Sequence, residues 1–489
     1  MTKNLKDMAI SGLFWSLMLR YSQQIIVFSI TIILARILLP AEFGIIAMLG
    51  VFMALSQTFL DFGISSALIQ RQDITQKDLS TVFYLNIITG SVLTLILFFS
   101  APVIANFYSK PELVNITKFM SLNFIIISFG IVQNTLITKR IDFKRRMKIS
   151  LPSLVISGTI AIILAVKGFG VWSLAIQSVL HRFSNTIIIW FIEKWRPSLQ
   201  FSINSIKKII GFSVNMFGSG LLDTIFRKLD ILLIGKFFSA VDLGFYSRAI
   251  GLQQMPIRNT HAALKQVTFP LLSKIQDDDI RLKRVFRKII KVVAFIGFPM
   301  LLGMLVVADP LIRVLITEKW LPSVKYLQLL CIGGLTYSIS AMNLNILLVK
   351  GKADIFFKLE IVKKIMILVG IFIGLFWGIM GLIIGRMIVG YFAFILNIYY
   401  SGKQINYTVI EQLKDLLPYL MVSIIMAISV YFLDISFVGD NFALKLLLEI
   451  TTGVLIYYLI ARFTRLDGLI YITEIIKEKI TKKRLSLSR

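Results

Sequence analysis

Cysteine is almost missing from this chain of 489 residues: Cys331 is its one thiol. That excludes an internal disulfide and any cysteine metal cluster, and its setting in an apolar run reads as a small core residue. Histidine is nearly as scarce, with only His181 and His261. Charged residues reach 16%, against about a quarter in soluble proteins. Acids are the scarcer sign, 26 against 53 bases. Neither a P-loop nor a G-x-G-x-x-G pattern is present to cradle a nucleotide, which argues against ATP-driven transport. No cofactor and no metal are expected. The first apolar stretch is too long for a signal-peptide core, and no small-residue cleavage site follows it, so it reads as the first helix.

What fills the chain instead is apolar. Hydrophobic residues make up 57% and mean hydropathy is +0.81. Runs of about 20 apolar residues, enough to cross a hydrocarbon core, recur from end to end. The expectation is an all-α integral membrane protein with fourteen spans, near 12–38, 42–68, 80–106, 116–138, 149–167, 169–193, 208–236, 241–274, 288–313, 322–349, 357–377, 379–400, 416–434 and 442–463.

Within these runs two stretches repeat one plan: Leu34-Ala35-Arg36-Ile37-Leu38-Leu39-Pro40-Ala41-Glu42-Phe43-Gly44 and Ile234-Gly235-Lys236-Phe237-Phe238-Ser239-Ala240-Val241-Asp242-Leu243-Gly244. Each gives a base, a short apolar turn, an acid and a glycine, followed by another long segment. Such self-similarity means a duplicated unit. The domains expected are an N-lobe over 1–205 (spans 1–6), a C-lobe over 206–402 (spans 7–12), two appended spans over 403–464 and a tail over 465–489. Six spans is an even number, so the lobes should be related by an axis along the membrane normal, as in transporters that rock one lobe against the other.

Loop charge tests this topology independently. With a cytoplasmic N-terminus, the inside loops hold the bases of 139–148, 194–208, 274–291 and 350–364. The outside loops hold scattered bases such as Arg36, Lys110 and Lys236. Bases retained on the cytoplasmic side set orientation, so both termini should be cytoplasmic. The formal charge of +27, which in a soluble protein would suggest nucleic acid, then reads as topology signals facing anionic headgroups. The tail, with an apolar stripe from Leu469 to Ile480 and lysines between, should lie on the inner surface.

Eight bases fit neither face: Arg20, Arg182, Arg227, Lys228, Arg248, Arg258, Lys265 and Arg386. A charge at the bilayer centre costs about 2.5–3.5 kcal/mol even on insertion scales, so each must meet water or a partner. The acids at that depth are Asp61, Asp223 and Asp230, with Asp223 and Arg227 spaced i, i+4. Full pairing with three acids leaves five bases over. A cationic cavity for an anionic ligand is expected, built from Arg20, Arg227, Lys228, Arg248, Arg258 and Lys265; a phosphate would suit the forked donors of arginine. The bland alternative is structural pairing and snorkelling, to which Arg182 and Arg386 belong first. Arg258, His261 and Lys265 share one helical face. An offset of two hundred sets His261 opposite Asp61, a pair that could trade a proton, although a histidine hydrogen-bonded at a polar helix interface is the simpler reading.

The strings Ser11-Gly12-Leu13-Phe14-Trp15-Ser16, Ile33 to Gly44, Asp61-Phe62-Gly63-Ile64-Ser65-Ser66-Ala67-Leu68-Ile69-Gln70-Arg71, Lys139-Arg140-Ile141-Asp142-Phe143-Lys144, Lys194-Trp195-Arg196-Pro197 and Ile234 to Ser239 resemble the Wzx-type polysaccharide exporters. The resemblance runs through roughly residues 1–480 and is strongest to the colanic-acid and teichuronic-acid branch. The superfamily also holds the MATE multidrug exporters and the lipid II flippase MurJ. The resemblance implies a fourteen-helix, two-lobed flippase of the bacterial inner membrane, moving undecaprenyl-pyrophosphate-linked oligosaccharide between leaflets. Lipid-linked oligosaccharide and membrane lipids would be its partners, with polysaccharide polymerase or export machinery beside it; it implies no enzyme and no transferable catalytic motif. Two rivals remain. A MATE-like cation exporter would want an acidic site, for which Asp61 stands alone. A membrane glycosyltransferase or polymerase would want acids, histidines or a metal at the surface, and the outer loops offer no histidine or acid pair.

Overall fold

In the computed structural model the backbone is described for residues 2–61, 68–69, 73–436, 439, 441–471 and 473–474. Side chains are described at the same positions except 2–10, 13, 61, 204–216, 219 and 258–267. Secondary structure among the described residues is entirely helical. The helices are α1 (Thr2–Ile37), α2 (Pro40–Asp61), α3 (Gln76–Tyr108), α4 (Leu113–Ser128), α5 (Ile131–Lys139), α6 (Phe143–Val166), α7 (Val171–Ile192) and α8 (Ile203–Phe237). Then come α9 (Ala240–Ser273), α10 (Asp279–Val306), α11 (Ala308–Ile316), α12 (Ser323–Gly334), α13 (Tyr337–Val349), α14 (Ala353–Leu375), α15 (Gly378–Gln404), α16 (Val409–Ser436) and α17 (Phe442–Phe463).

Each expected span falls on one helix or on a consecutive pair, except that the second runs past the end of α2 into residues 62–67, which lie outside the described residues. The described residues account for part of the fourteen expected crossings. Among the described residues nine stretches are long and apolar enough to cross a membrane, α12 and α13 together making one of them, and ten if α4 and α5, bent by 47°, form one span. The other expected spans lie on α7, α8, α9 and α14. On α7 and α14 the reason is polar content, His181 and Arg182 on the one and Lys358 to Lys364 on the other; on α8 and α9 the side chains of 204–216 and 258–267 lie outside the described residues.

The chain packs as two units, Met1–Gly244 and Phe245–Arg489. The expected repeat boundary at 205/206 is displaced from this division by one helix and one turn. Helix α8 opens the second copy in sequence, yet it packs in the first unit: the Thr58 and Thr224 hydroxyls lie 3.1 Å apart and the Phe59 and Phe217 rings 4.9 Å apart.

Contact register within each unit gives helix direction. In the first, Gln23 on α1 donates to Ser150 on α6, while Gly12 sits against Ile141 and Gly158 against Ile30. The numbers rise together, so α1 and α6 run parallel, as a first and fifth span must. In the second, Lys283–Glu411 (3.0 Å) and Arg287–Asp415 (2.7 Å) rise together as well, making α10 and α16 parallel. Helices α14 and α15 run antiparallel at backbone contact: a Cβ on Gly374 would stand 2.5 Å from the Gly381 carbonyl oxygen. Small residues let helices approach closely where lipid removes any hydrophobic drive between them. Interhelical hydrogen bonds add to this, Asn397 to Ser340 at 2.6 Å and Ser401 to Asn343. Outward faces are apolar, with Phe191 86% and Phe463 88% exposed, as a lipid-facing surface requires.

Candidate functional site

The duplicated turns explain their own residues. Helix α1 ends at Ile37 and α2 begins at Pro40; α8 ends at Phe237 and α9 begins at Ala240. In the first turn the Glu42 carboxylate accepts from the Leu39 N–H at 2.7 Å. In the second, Ser239 caps α9 by accepting from the Asp242 N–H at 3.0 Å and donates to the Asp242 carboxylate at 2.6 Å. The repeated acid therefore closes a helix start, where free N–H groups favour negative charge. The repeated base sits in the last turn of the preceding helix, where the dipole favours a cation; Lys236 donates to the Phe107 carbonyl at 2.6 Å and lies 4.9 Å over its ring. The glycines allow the turns to meet. A Cβ on Gly44 would fall 1.7 Å from the Ala240 carbonyl oxygen, and one on Gly244 would fall 1.9 Å from that of Pro40. Each copy's glycine rests on the other's first helical carbonyl, which is the self-complementary contact of a two-fold pair.

The expected cavity bases are distributed as follows. Arg20 is half-buried on α1, Arg227 exposed and Lys228 half-buried on α8, all in the first unit. Arg227 meets Asp223 at 3.1 Å, the pairing that their spacing foretold, and Asp230 is buried on the same helix. Arg248 is half-buried on α9 and Arg386 half-buried on α15, in the second unit, while Arg182 is exposed on α7 beside the half-buried His181. Asp61, Arg258, His261 and Lys265 carry side chains outside the described residues.

More order than the loop charges suggested appears at the helix ends expected to face the cytoplasm. In the first unit Glu193, only 1% exposed, receives Arg140 at 3.0 Å and Arg145 at 3.4 Å, drawing the ends of α5, α6 and α7 together. Arg196 lies 5.0 Å over the Trp190 ring, and the Trp195 indole N–H donates to Gln76 at 2.7 Å. In the second unit Arg287 grips Asp415 through two bonds of 2.7 and 2.8 Å. Lys291 reaches Asp467 at 2.6 Å and Asp415 at 3.4 Å, and the Tyr407 phenol donates to Asp415. Burial, and after it that hydrogen bond, push the Tyr407 hydroxyl above its ordinary value. Partners such as Arg287 and Asp415 stand 128 positions apart, so no local spacing could have announced them.

The family model described as polysaccharide biosynthesis protein matches residues 33–325. The teichuronic acid biosynthesis protein TuaB of Bacillus subtilis (strain 168) is 33% identical over 62% of this chain and 63% of its own length. The lipopolysaccharide biosynthesis protein WzxC of Escherichia coli (strain K12) is 28% identical over 82% of each chain. Among solved structures, the lipid II flippase MurJ in an inward closed conformation superposes with a TM-score of 0.74 at 17% identity, over 93% of this chain and 99% of that one, which establishes the fold. This multi-pass membrane chain, built from helices joined by a duplicated capped turn, belongs to the polysaccharide biosynthesis protein family.

Proposed function

We propose that this protein moves an undecaprenyl-pyrophosphate-linked oligosaccharide from the cytoplasmic to the periplasmic leaflet of a bacterial cell membrane. The observation that carries the reading is the family match over residues 33–325 on a chain whose described helices are of membrane length. The excess of bases at membrane depth agrees with it, because a pyrophosphate offers the charge that those bases lack. In this reading Arg20, Arg227, Lys228, Arg248, Arg258 and Lys265 receive the pyrophosphate as two six-span lobes alternate in exposing it. Asp61 and His261 trade a proton during the exchange. The termini face the cytoplasm, the protein catalyses no covalent step, and a polymerase takes the cargo on the far side. Binding energy must differ between the two access states for transport to be directional, and a titrating pair is one means of making it differ.

The test is reconstitution into vesicles with a fluorescent lipid-linked oligosaccharide, scored by quenching from outside, with and without a pH gradient. Transfer well above protein-free vesicles is expected, accelerated by the gradient. No transfer under either condition would remove the reading. Transfer indifferent to the gradient would remove the proton role and leave the cargo.

A further inference from the structure

The basic face of α10 falls into two stripes. Lys283, Arg287 and Lys291, at i, i+4 and i+8, turn toward α16 and the segment at Asp467, where Glu411, Asp415 and Asp467 take up their charges. Arg284 and Lys288, one residue further round, are exposed. Lys288 lies 4.8 Å over the Tyr471 ring, and neither base has an ion-pair partner among the described residues. Together Ile280, Lys283, Arg284, Arg287, Lys288, Lys291 and Tyr471 line a cavity of about 350 Å³, and among these described residues there is no carboxylate.

The charge count decides what could settle there. Five bases face three acids, which leaves two positive charges in one pocket. The N-terminus of α10 is already answered by its own acids, since Asp278 caps it by accepting from the Arg281 N–H and Asp279 stands in the first turn, so the surplus lies with the side chains of Arg284 and Lys288. Like charges one turn apart on a helix repel one another, so the surplus bases cost stability unless an anion neutralises them. Residues 280–291 open a helix of membrane length, the depth at which lipid headgroups lie, and basic pockets between helices at that depth suit lipid phosphates. An aromatic ring beside the pocket matches the same interface.

We propose that this pocket binds the phosphoryl group of a membrane lipid, with Arg284 and Lys288 as the principal charges and Arg287 and Lys291 held in place by their carboxylates. The site lies within the second unit and includes none of the bases assigned to the transport path. Two lipids share the required chemistry, bulk anionic phospholipid and a polyprenyl pyrophosphate.

The experiment uses the full chain in neutral detergent, titrated with phosphatidylglycerol, phosphatidylcholine or polyprenyl pyrophosphate and read by thermal unfolding and native mass spectrometry. Phosphatidylcholine, with no net charge, is expected to do little. At least one anionic lipid should stabilise the protein and remain bound, and R284Q/K288Q should weaken that binding at least tenfold. The variant K148Q/K194Q, which loses the same charge from exposed positions of the first unit, should bind as the unmodified protein does. Protection by phosphatidylglycerol names a structural lipid, and protection by the pyrophosphate alone names the cargo; both support the site. Equal loss in the two variants, unchanged binding in R284Q/K288Q, or no binding by either anionic lipid overturns it. Neither substituted base supports the paired acids, so folding of R284Q/K288Q should match the control.

Discussion

Helices α2 and α9 begin with the same turn and then diverge. After Glu42, α2 carries no charge until Asp61 and is long and apolar enough to cross a membrane. After Asp242, α9 carries Arg248, Arg258, His261 and Lys265, with Pro256 among them and Pro270 beyond them. The two copies thus agree where chains turn and touch and disagree in what the helix displays. The turn is governed by sterics and by free N–H groups, which leave few solutions. A helix face tolerates any residue that finds water, lipid or a partner, so the second copy could gather bases without disturbing the scaffold.

The sharpest way to break the comparison is at the shared part. Gly44→Leu or Gly244→Leu drives a side chain into a carbonyl, and overpacking of that kind costs about 3 kcal/mol or more. Little monodisperse protein should survive size-exclusion chromatography for either, whereas Gly50→Ala and Gly251→Ala, with nothing within 4 Å, should purify normally. Normal yield from either leucine variant would mean the turns do not need their contact. The divergent part is tested next. Arg258→Gln and Lys265→Gln should each lower lipid-linked oligosaccharide transfer roughly tenfold or more, as expected when a charge-assisted hydrogen bond is lost. Thr58→Val, at the matching offset on α2, should leave transfer nearly unchanged; an equal loss there would abolish the functional asymmetry. The caps give the smallest effect. Glu42→Ala and Ser239→Ala should each destabilise by about 1 kcal/mol, similar in size although the residues differ, as read from thermal unfolding of the purified protein.

Helix positions were legible because lipid imposes a length and a polarity that sequence carries openly. The duplicated turn was legible for a similar reason, since capping acids and close-contact glycines are local. The Asp223–Arg227 pair was legible from its spacing. The acids opposite α10 were not, because Glu411 and Asp415 acquire their meaning only when α16 lies parallel to α10. Glu193 is comparable: its sequence neighbours Lys194 and Arg196 suggested a loop signal, while burial among Arg140 and Arg145 makes it the anchor of three helix ends. Helix α8 was assigned by homology to the second copy, yet packing places it with the first, since sequence repetition records ancestry and not which neighbour a helix touches.

The crossed glycine contact also bears on how such a chain can arise. Gly44 needs only the carbonyl that Ala240 offers, and Gly244 only that of Pro40. Neither half of the contact depends on a feature that the other copy lacks. Two identical half-length chains could therefore close it with themselves, each presenting one glycine and one helix start. Joining two such genes end to end would place no new demand on this seam, and afterwards each copy would be free to change everywhere except at the residues that face each other across it.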